Sequence, residues 1–232
     1  MLWFLNSNIT FEYVIMRILS VTFIVFFILP LHEFAHGFIA NKLGDKTAEY
    51  SGRLTLNPLA HIDPLGTIAI LLFGFGWAKP VPIDPRNFKN PKAGMALTAA
   101  AGPISNFLAA LVGGFLYYAI IAIFYRSMSE FALNLLYNFF INYIFINIGL
   151  AVFNLLPIPP LDGSRMVGAF LSDGALYKYY QYQNVINIVM FALLLLGFFN
   201  RPLEYVQNVV FKWVILLSRF PFLPILNSFT GI

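Results

Sequence analysis

Four long apolar blocks constrain this chain more than any other feature of its sequence. They cover residues 11–31, 94–125, 131–157 and 185–199, and most are long enough to cross the hydrocarbon core of a bilayer as helices, which takes about 20 residues. Only 10% of the 232 residues are charged and 59% are hydrophobic, whereas a soluble domain is roughly a quarter charged. We therefore predict an all-α polytopic membrane protein with four to five transmembrane helices.

The segments between these blocks are expected to belong to one membrane domain, residues 1–232, with a core at 11–166 and C-terminal helices at 177–226. The polar stretch 44–65 alternates short apolar runs with turn residues, which is typical of a loop with one or two short strands. Residues 66–78, "GTIAILLFGFGWA", are apolar but too short to span, so we expect them to re-enter the membrane or lie at its surface.

The first and last apolar segments differ in what their sequences predict. The first helix is expected to run from about Phe11 to Leu43, with a kink at Pro30, and to stay as an anchor because no small-residue cleavage site follows it. The last segment, about 203–226, has a polar and an apolar side, so the sequence leaves open whether it crosses the membrane or lies at the interface.

Basic residues predict the orientation, because they are concentrated on the cytoplasmic side of membrane proteins. If residues 66–78 do not cross, one side carries most of them in its loops, namely Lys42, Lys46, Arg53, Lys79, Arg86, Lys89, Lys92, Arg165 and Lys178. The opposite side has only Arg126 and Arg201 in its loops. The prediction is a multi-pass protein of the cell membrane with its N-terminus outside. The net charge of +4 is modest, and its distribution among the loops predicts orientation and not nucleic-acid binding.

The segment "HEFAH" places ionisable residues in an apolar helix, where they are costly and usually serve a function. His32 and His36 are one turn apart, which is the spacing that two imidazoles need to bind one metal ion. Glu33 lies beside the first histidine and can accept a proton from a metal-bound water. A lone histidine on an apolar face is more often a core residue, but two at this spacing, in a chain with three histidines, favour a metal site.

A catalytic zinc takes three protein ligands and keeps a fourth position for water. The chain contains no cysteine, so the third ligand is either His61 or a carboxylate, and the best candidate is Asp162 in "LPIPPLDG". An Asp-Gly pair can also simply form a turn. Counting helices, however, places Asp162 at the basic side of the membrane. His36 is expected at that side as well, about 10 Å before Leu43 at 1.5 Å per residue.

The motifs "HEFAH" and "NLLPIPPLDG" together resemble those of the site-2 proteases, zinc metalloproteases that cut substrates inside the membrane. The stretches "GRLTLNPLAHIDPLGT", "FGWAKPVPIDPRNF" and "AGPISN" are similar to the compact bacterial and archaeal branch, which has no PDZ domain. The resemblance covers most of residues 28–166 and is weak beyond residue 170. Many members have glycine where Ala35 stands here, and alanine should still leave the metal face of the helix open.

The resemblance implies the metal chemistry residue by residue. His32, His36 and Asp162 would bind one Zn²⁺ ion per chain, and Glu33 would be the general base. These are the residues on which a metalloendopeptidase of the HExxH, site-2 protease type depends.

The resemblance also implies roles around the metal. Asn154 and Pro160 would help to hold the substrate strand. Asn106 would donate to the oxyanion that forms on the scissile carbonyl, or it would form a helix–helix hydrogen bond instead. His61 falls within a motif of this branch but has no assigned role, and a loop-stabilising or gating role is favoured over that of a fourth ligand.

The expected function is therefore the hydrolysis of peptide bonds in membrane-spanning proteins near the cytoplasmic face, as in regulated intramembrane proteolysis. The expected partners are a membrane protein substrate and the lipid bilayer, with no nucleic acid, and a homo-oligomer is compatible with the sequence. The alternative is a non-enzymatic metal-binding membrane protein or transporter. Such a protein would not need Glu33, and a transporter would more often show internal symmetry. A degenerate assembly factor would lack a motif residue, and none of the four is missing.

Overall fold

The computed structural model describes residues 10–73 and 77–230, most of which are helical. Its α-helices follow one another as α1 Phe11–Phe23, α2 Leu29–Lys42, α3 Thr47–Tyr50, α4 Pro58–His61, α5 Pro64–Phe73, α6 Pro91–Phe124, α7 Glu130–Asn154, α8 Asp162–Gly168, α9 Asp173–Gln181, α10 Gln183–Leu195, α11 Asn200–Arg219 and α12 Leu223–Thr230. No β-strand occurs within those two described ranges. The prediction of an all-α membrane protein is confirmed.

α1 and α2 form one helical rod, as predicted, because the residues between them, Ile24–Ile28, form a π-helix instead of a break. Pro30 lies in the first turn of α2. In a regular α-helix its ring would clash with the carbonyl of Phe26, four residues earlier, and a π turn is a common way to accommodate such a disturbance. The irregularity predicted at Pro30 therefore takes the form of a local change of helix type.

Four segments of the described chain are long and apolar enough to cross a membrane, namely Phe11–Lys42, Pro91–Ser127, Glu130–Asn154 and Asn200–Ser228. Their facing sides are filled by fully buried aliphatic side chains, including Ile24, Ile144, Ile148, Leu150 and Val214. This packing defines a bundle of long helices around which the shorter elements are arranged.

Glycines let the long helices approach closely, which is a common feature of helix packing in lipid. A β-carbon on Gly113 of α6 would collide with the ring of Tyr143 in α7. One on Gly114 would collide with Ser218 of α11. The small residues of α6 thus set its distance from two neighbouring helices.

A charged side chain lies inside this bundle. Arg17 in α1 is only 7% exposed, and its Nη1 donates to Oδ1 of Asn142 in α7 over 3.1 Å. The hydroxyl of Ser20, one turn later, donates to the carbonyl oxygen of Phe139. Because a buried charge needs such partners, these polar contacts fix α1 against α7. The sequence motifs do not reveal them.

The polar stretch 44–65 contains the short helices α3 and α4 instead of the predicted strands, so the expectation of short strands there is wrong. The side chain of Asn57 caps α4 by accepting from the backbone N–H of Leu59, and Pro58 occupies the first turn. An Asn-Pro pair is a helix-start signal. It outweighs the alternation of apolar residues on which the strand prediction depended.

The two described ends of the stretch 66–78 lie side by side, and the stretch is not among the segments long enough to span a membrane. α5 has 10 residues, and at 1.5 Å per residue it covers about 15 Å, half of a hydrocarbon core of about 30 Å. The backbone N–H of Lys79 then donates to the carbonyl oxygen of His61, and Gly66 lies too close to the carbonyl of Trp77 for a β-carbon to fit. Residues 74–76 lie outside the described residues.

The apolar block 185–199 does not provide the fourth long helix. It corresponds to α10, which has 13 residues and covers about 20 Å. The segment whose crossing the sequence left open, Asn200–Ser228, is instead the fourth candidate span, and its buried Val214 and Ser218 pack into the bundle. If each candidate span crosses, Arg201 lies on the same side as Lys42, not on the opposite side as the sequence predicted.

Candidate metal centre

The side chains of His32, His36 and Asp162 meet at one point inside the protein. A ligand atom of each residue lies within 4.8 Å of those of the other two. The two Nε2 atoms are 3.1 Å apart, and Oδ2 of Asp162 lies 3.4 Å from Nε2 of His32 and 3.2 Å from Nε2 of His36. All three residues are buried. The structure therefore brings together the three residues that the two sequence motifs singled out.

Two different local structures deliver these side chains. His32 and His36 are one turn apart on α2, so their rings project from the same face of the helix. α7 ends at Asn154, and the proline-rich turn after it carries the chain to Asp162, the first residue of α8. The end of α7, the turn after it and the start of α8 thus place the carboxylate of Asp162 beside the two imidazoles.

Each imidazole is held through its other ring nitrogen. Nδ1 of His32 lies 3.1 Å from Oδ1 of Asn106, and Nδ1 of His36 lies 2.7 Å from the backbone carbonyl oxygen of Thr98. Both partners accept hydrogen bonds, so Nδ1 is the protonated nitrogen of each ring and Nε2 keeps its lone pair. This arrangement fixes the tautomer and orientation of metal-binding histidines.

Gly102 on α6 makes room for the group. A β-carbon at this position would collide with the Nε2 atoms of both His32 and His36. Without a β-carbon the backbone of α6 passes close to both rings, and the space beside the two nitrogen lone pairs stays open to an ion.

The carboxylate fits a cation. Oδ2 of Asp162 is buried and has no hydrogen-bond partner among the described residues, and an unpaired buried carboxylate oxygen is costly. Two imidazoles and a carboxylate form a ligand set of catalytic zinc sites, which leave one position for water.

Glu33 lies beside this group without belonging to it. It is 7% exposed, and its Oε2 accepts a hydrogen bond of 2.8 Å from the backbone N–H of Val81. Glu33 and the three metal-site residues line one cavity of about 230 Å³. A carboxylate that faces the same cavity as the metal site is in the right place to exchange protons with a water molecule there.

The same cavity is lined by the other residues that the resemblance implied. Asn106, Asn154 and Pro160 all line it, together with Trp77 and Val81. Nδ2 of Asn106 is buried and has no hydrogen-bond partner in the described chain, so the amide that orients His32 with its oxygen still has donors available. Their roles toward a substrate stay predictions.

His61 stands apart from the metal site. It is fully buried, its Nε2 lies 2.8 Å from the backbone carbonyl oxygen of Thr55, and it is not a member of the metal-binding group found in the described chain. Its Nδ1 is buried without a hydrogen-bond partner in the part of the chain that the structure describes. This geometry agrees with a role in the loop and not with that of a ligand.

Sequence reasoning missed three contributors to the site. Gly102 could have been noticed, because a glycine within a helix is destabilising and often marks a close approach. Thr98 and Val81 act through backbone atoms, a carbonyl oxygen and an N–H group respectively. Since every residue except proline carries both groups, no sequence signal could have identified them.

The chain is similar to known proteins whose names describe zinc metalloproteases, which is consistent with a metal site at His32, His36 and Asp162. The family model described as peptidase family M50 matches residues 117–197, a stretch that includes Asp162. The Bacillus subtilis (strain 168) protein named "Putative zinc metalloprotease YwhC" is 43% identical over 179 residues, which cover 77% of this chain and 80% of that protein.

A more distant relative is "Putative zinc metalloprotease Rip2" of Mycolicibacterium smegmatis (strain ATCC 700084 / mc(2)155). It is 31% identical over 144 residues, which cover 58% of this chain and 51% of that protein. No solved structure matches the chain at a significant level.

Proposed function

This chain belongs to peptidase family M50, the zinc metalloproteases known as site-2 proteases, and on that premise we propose that it cleaves membrane-spanning proteins within the bilayer. The observation that carries the proposal is the meeting of His32, His36 and Asp162 with Glu33 at one buried cavity between long apolar helices. We assign the first three as zinc ligands and Glu33 as the general base.

The chemistry divides between the metal and the side chains around it. Bound at this site, zinc would supply the Lewis acidity that makes water a nucleophile at neutral pH. Glu33 accepts a proton from the attacking water and returns it to the leaving nitrogen as the peptide C–N bond breaks. The backbone N–H of Val81 donates to Oε2 of Glu33, so we assign the proton transfer to the other carboxylate oxygen, Oε1.

Asn106 is the candidate for stabilising the reacting carbonyl. Its Oδ1 faces Nδ1 of His32, while its Nδ2 is buried, lines the cavity side of α6 and has no partner in the described chain. An amide donor that is fixed before the reaction and already removed from water stabilises a developing oxyanion effectively. We assign this role to Nδ2.

A membrane-spanning substrate must be extended before its carbonyls are accessible, because a helix hides them in internal hydrogen bonds. The segment from Lys79 to Pro85 is suited to hold such a strand: residues that precede proline are pushed into extended conformations, and Lys79, Val81 and Asp84 each precede one. Pro80 and Val81 line the cavity. We propose that the extended substrate lies in this cavity, with Pro80 and Val81 on one side of it and Asn154 and Pro160 on the other.

The charge distribution supports cleavage near the cytoplasmic face, with the N-terminus outside. The loops next to the metal site contain Lys42, Lys46, Arg53 and Lys79, and such an excess of basic residues favours the cytoplasmic side. A site at this depth also shortens the path of water to the metal. Cleavage of this kind fits a role in regulated intramembrane proteolysis.

The decisive experiment separates metal binding from catalysis. Purified protein should contain about one zinc per chain and cleave a membrane-spanning test substrate, and Glu33→Gln should keep the zinc while cleavage falls roughly 100- to 10,000-fold, the range typical of a lost general base. Glu204→Gln, at an exposed glutamate of α11, is the matched control. Undiminished cleavage by Glu33→Gln would exclude the mechanism, and a wild-type protein that binds zinc but cleaves nothing would favour the metal-binding alternative.

A further inference from the structure

The segment between α3 and α5 forms hydrogen bonds with both backbone polar groups of Lys79, its N–H and its carbonyl oxygen. Nη2 of Arg53 donates to the carbonyl oxygen of Lys79 over 2.8 Å. The N–H of Lys79 donates to the carbonyl oxygen of His61, also over 2.8 Å. Arg53 and His61, eight positions apart, therefore hold the two peptide groups on either side of the Lys79 α-carbon, and neither residue belongs to the metal site.

His61 also braces the loop internally. Its side chain is completely buried, and the contact between Nε2 and the carbonyl oxygen of Thr55 is 2.8 Å long. Because Thr55 lies two residues after Arg53, this bond ties the part of the loop that carries the guanidinium to the part that carries the His61 carbonyl. Arg53 and His61 thus act on Lys79 as one unit, which we call the Lys79 clamp.

The clamp is only two residues away from the contact with the general base. Val81 donates its backbone N–H to Oε2 of Glu33. Pro80 and Pro82 flank Val81, and proline fixes its own φ angle while restricting the residue before it. A short, stiff segment of this kind transmits the position of Lys79 to the N–H of Val81.

Side-chain packing joins the same parts. Gly37 follows His36 on α2, and its missing side chain leaves room for Leu54 from the loop and Val81 from the proline segment. A β-carbon on Gly37 would stand 3.2 Å from Cδ1 of Leu54 and 3.3 Å from Cγ1 of Val81. The loop and the proline segment therefore pack on the turn of α2 that carries the catalytic motif.

We propose that the Lys79 clamp, formed by Arg53 and His61, positions Glu33 for proton transfer by fixing the N–H of Val81. Both are positioning residues, and neither lines the cavity that contains the metal site. The inference rests on the proposed role of Glu33 as the base. It gives His61, the histidine for which the sequence provided no task, a defined place in the site.

The first test compares Arg53→Ala with Arg53→Lys in the purified, zinc-loaded, full-length protein. Since a displacement of about 1 Å in a catalytic site can cost around 100-fold in rate, Arg53→Ala should lower kcat roughly 10- to 100-fold while KM and zinc content stay close to wild type. Arg53→Lys, which retains a donor, should recover part of kcat. Arg86→Ala is the matched control, because that guanidinium is exposed and, among the described residues, pairs only with Asp84.

The second test removes the hydrogen bond between the N–H of Val81 and Glu33. Val81→Pro deletes the N–H that Glu33 accepts and keeps an extended backbone, so it should reproduce the loss of kcat with zinc retained. In the double variant Arg53→Ala/Val81→Pro, kcat should fall no further than in Val81→Pro alone, because both changes act on one hydrogen bond. A loop that merely stabilised the fold would give additive losses.

The outcomes separate this inference from the proposed function. If wild-type protein does not cleave, or Glu33→Gln cleaves normally, the proposed function fails. If Glu33→Gln is inactive but Val81→Pro keeps full kcat, or the losses in the double variant add, the clamp is excluded while the proposed function stands. Should Arg53→Ala lose its zinc by misfolding, Val81→Pro and Arg53→Lys still decide the question.

Discussion

His36 packs directly against Gly102, which has no β-carbon to compete with its Nε2 atom. On its other side, Nδ1 of the same ring donates to the carbonyl oxygen of Thr98, one turn earlier on α6. One helix therefore both orients the imidazole and keeps its lone pair accessible. α6 shapes the site as directly as the helix that carries the HEFAH motif.

Replacing Gly102 with alanine should remove the metal without unfolding the protein. The added methyl group would occupy the space beside Nε2 of both His32 and His36, while alanine is a better helix former than glycine by roughly 1 kcal/mol. We expect zinc per chain to fall well below one and cleavage to be lost, as measured by metal analysis and substrate cleavage. Gly174→Ala, where a β-carbon would meet nothing within 4 Å, should keep both; a Gly102→Ala protein with full zinc would contradict the geometry.

Changing Asp162 tests the third ligand. Asp162→Ala removes the only carboxylate in the metal-binding group of the described chain, and we expect zinc to be lost at micromolar free metal because two imidazoles do not complete the site. Asp162→Asn should fail similarly, since it lacks the negative charge. Metal analysis after dialysis against a chelator is the measurement. Full zinc retention in both variants would show that another group supplies the ligand.

Asn106→Ala should affect metal affinity and rate separately. Loss of the acceptor for Nδ1 of His32 should weaken zinc binding roughly 10- to 100-fold, as outer-shell changes usually do. If Nδ2 also serves the oxyanion, kcat at saturating zinc should fall a further 100- to 1,000-fold or so. Ser105→Ala, which removes a hydrogen bond to the carbonyl oxygen of Gly102 within the helix, is the neighbouring control. A normal kcat at saturating zinc would leave Asn106 as an orienting residue only.

Asp45 connects the end of α2 to the loop before α6. Its buried carboxylate accepts from Thr47, Asn87 and the backbone N–H of Asp84. Burial raises the pKa of Asp45, but these hydrogen bonds lower it more, so its pKa lies below the ordinary 3.8. Because the folded-state pKa is the lower one, the bonds stabilise the fold above about pH 4, and this is lost as the pH falls through the folded-state pKa.

Asp45→Asn should therefore lower stability by about 1–3 kcal/mol at pH 7, the usual cost of a disrupted buried hydrogen-bond network. The difference from wild type should begin to shrink below about pH 4, where the unfolded chain takes up the proton, and should disappear as the pH falls through the lower folded-state pKa of Asp45. Thermal unfolding in detergent at pH 7 and pH 3 measures both effects. Equal melting temperatures at pH 7 would show that the network is not stabilising.

The path of the C-terminal chain can be tested by cysteine labelling, since the sequence contains no cysteine. A short α10 that does not cross places Arg201 on the same side as the loop before α6. Single variants Lys89→Cys and Arg201→Cys should react with an impermeant reagent only after the cytoplasmic face is opened, and Ser129→Cys should react in intact cells. Labelling of Arg201→Cys together with Ser129→Cys would mean that α10 crosses after all.

The sequence identified the parts of the site that depend on side-chain chemistry. The spacing of His32 and His36 places them on one face of any helix, and the apolar context makes a helix the only structure available in lipid. Counting spans then brought Asp162 to the same depth. These inferences succeeded because each follows from local periodicity or from the thickness of the membrane.

Predictions that depended on weaker local signals were less successful. The alternating pattern near Asn57 predicted strands, but the cap and proline there start a short helix. The apolar block that becomes α10 resembled a span, yet its helix is 13 residues long, and the amphipathic segment after it packs into the bundle instead. In each case the outcome depended on helix ends and long-range packing, to which hydropathy is insensitive.

The sequence by itself therefore determined the fold class and predicted the three residues that meet at the candidate metal centre, because membrane thickness and helix geometry leave few alternatives for such residues. Only the tertiary structure decided which groups position these side chains. The carbonyl oxygen of Thr98 accepts from His36, the N–H of Val81 donates to Glu33, and Gly102 leaves space beside the two imidazoles. Backbone groups are the same in every residue, so their partners are set by the packing of distant segments and cannot be identified from the order of the side chains.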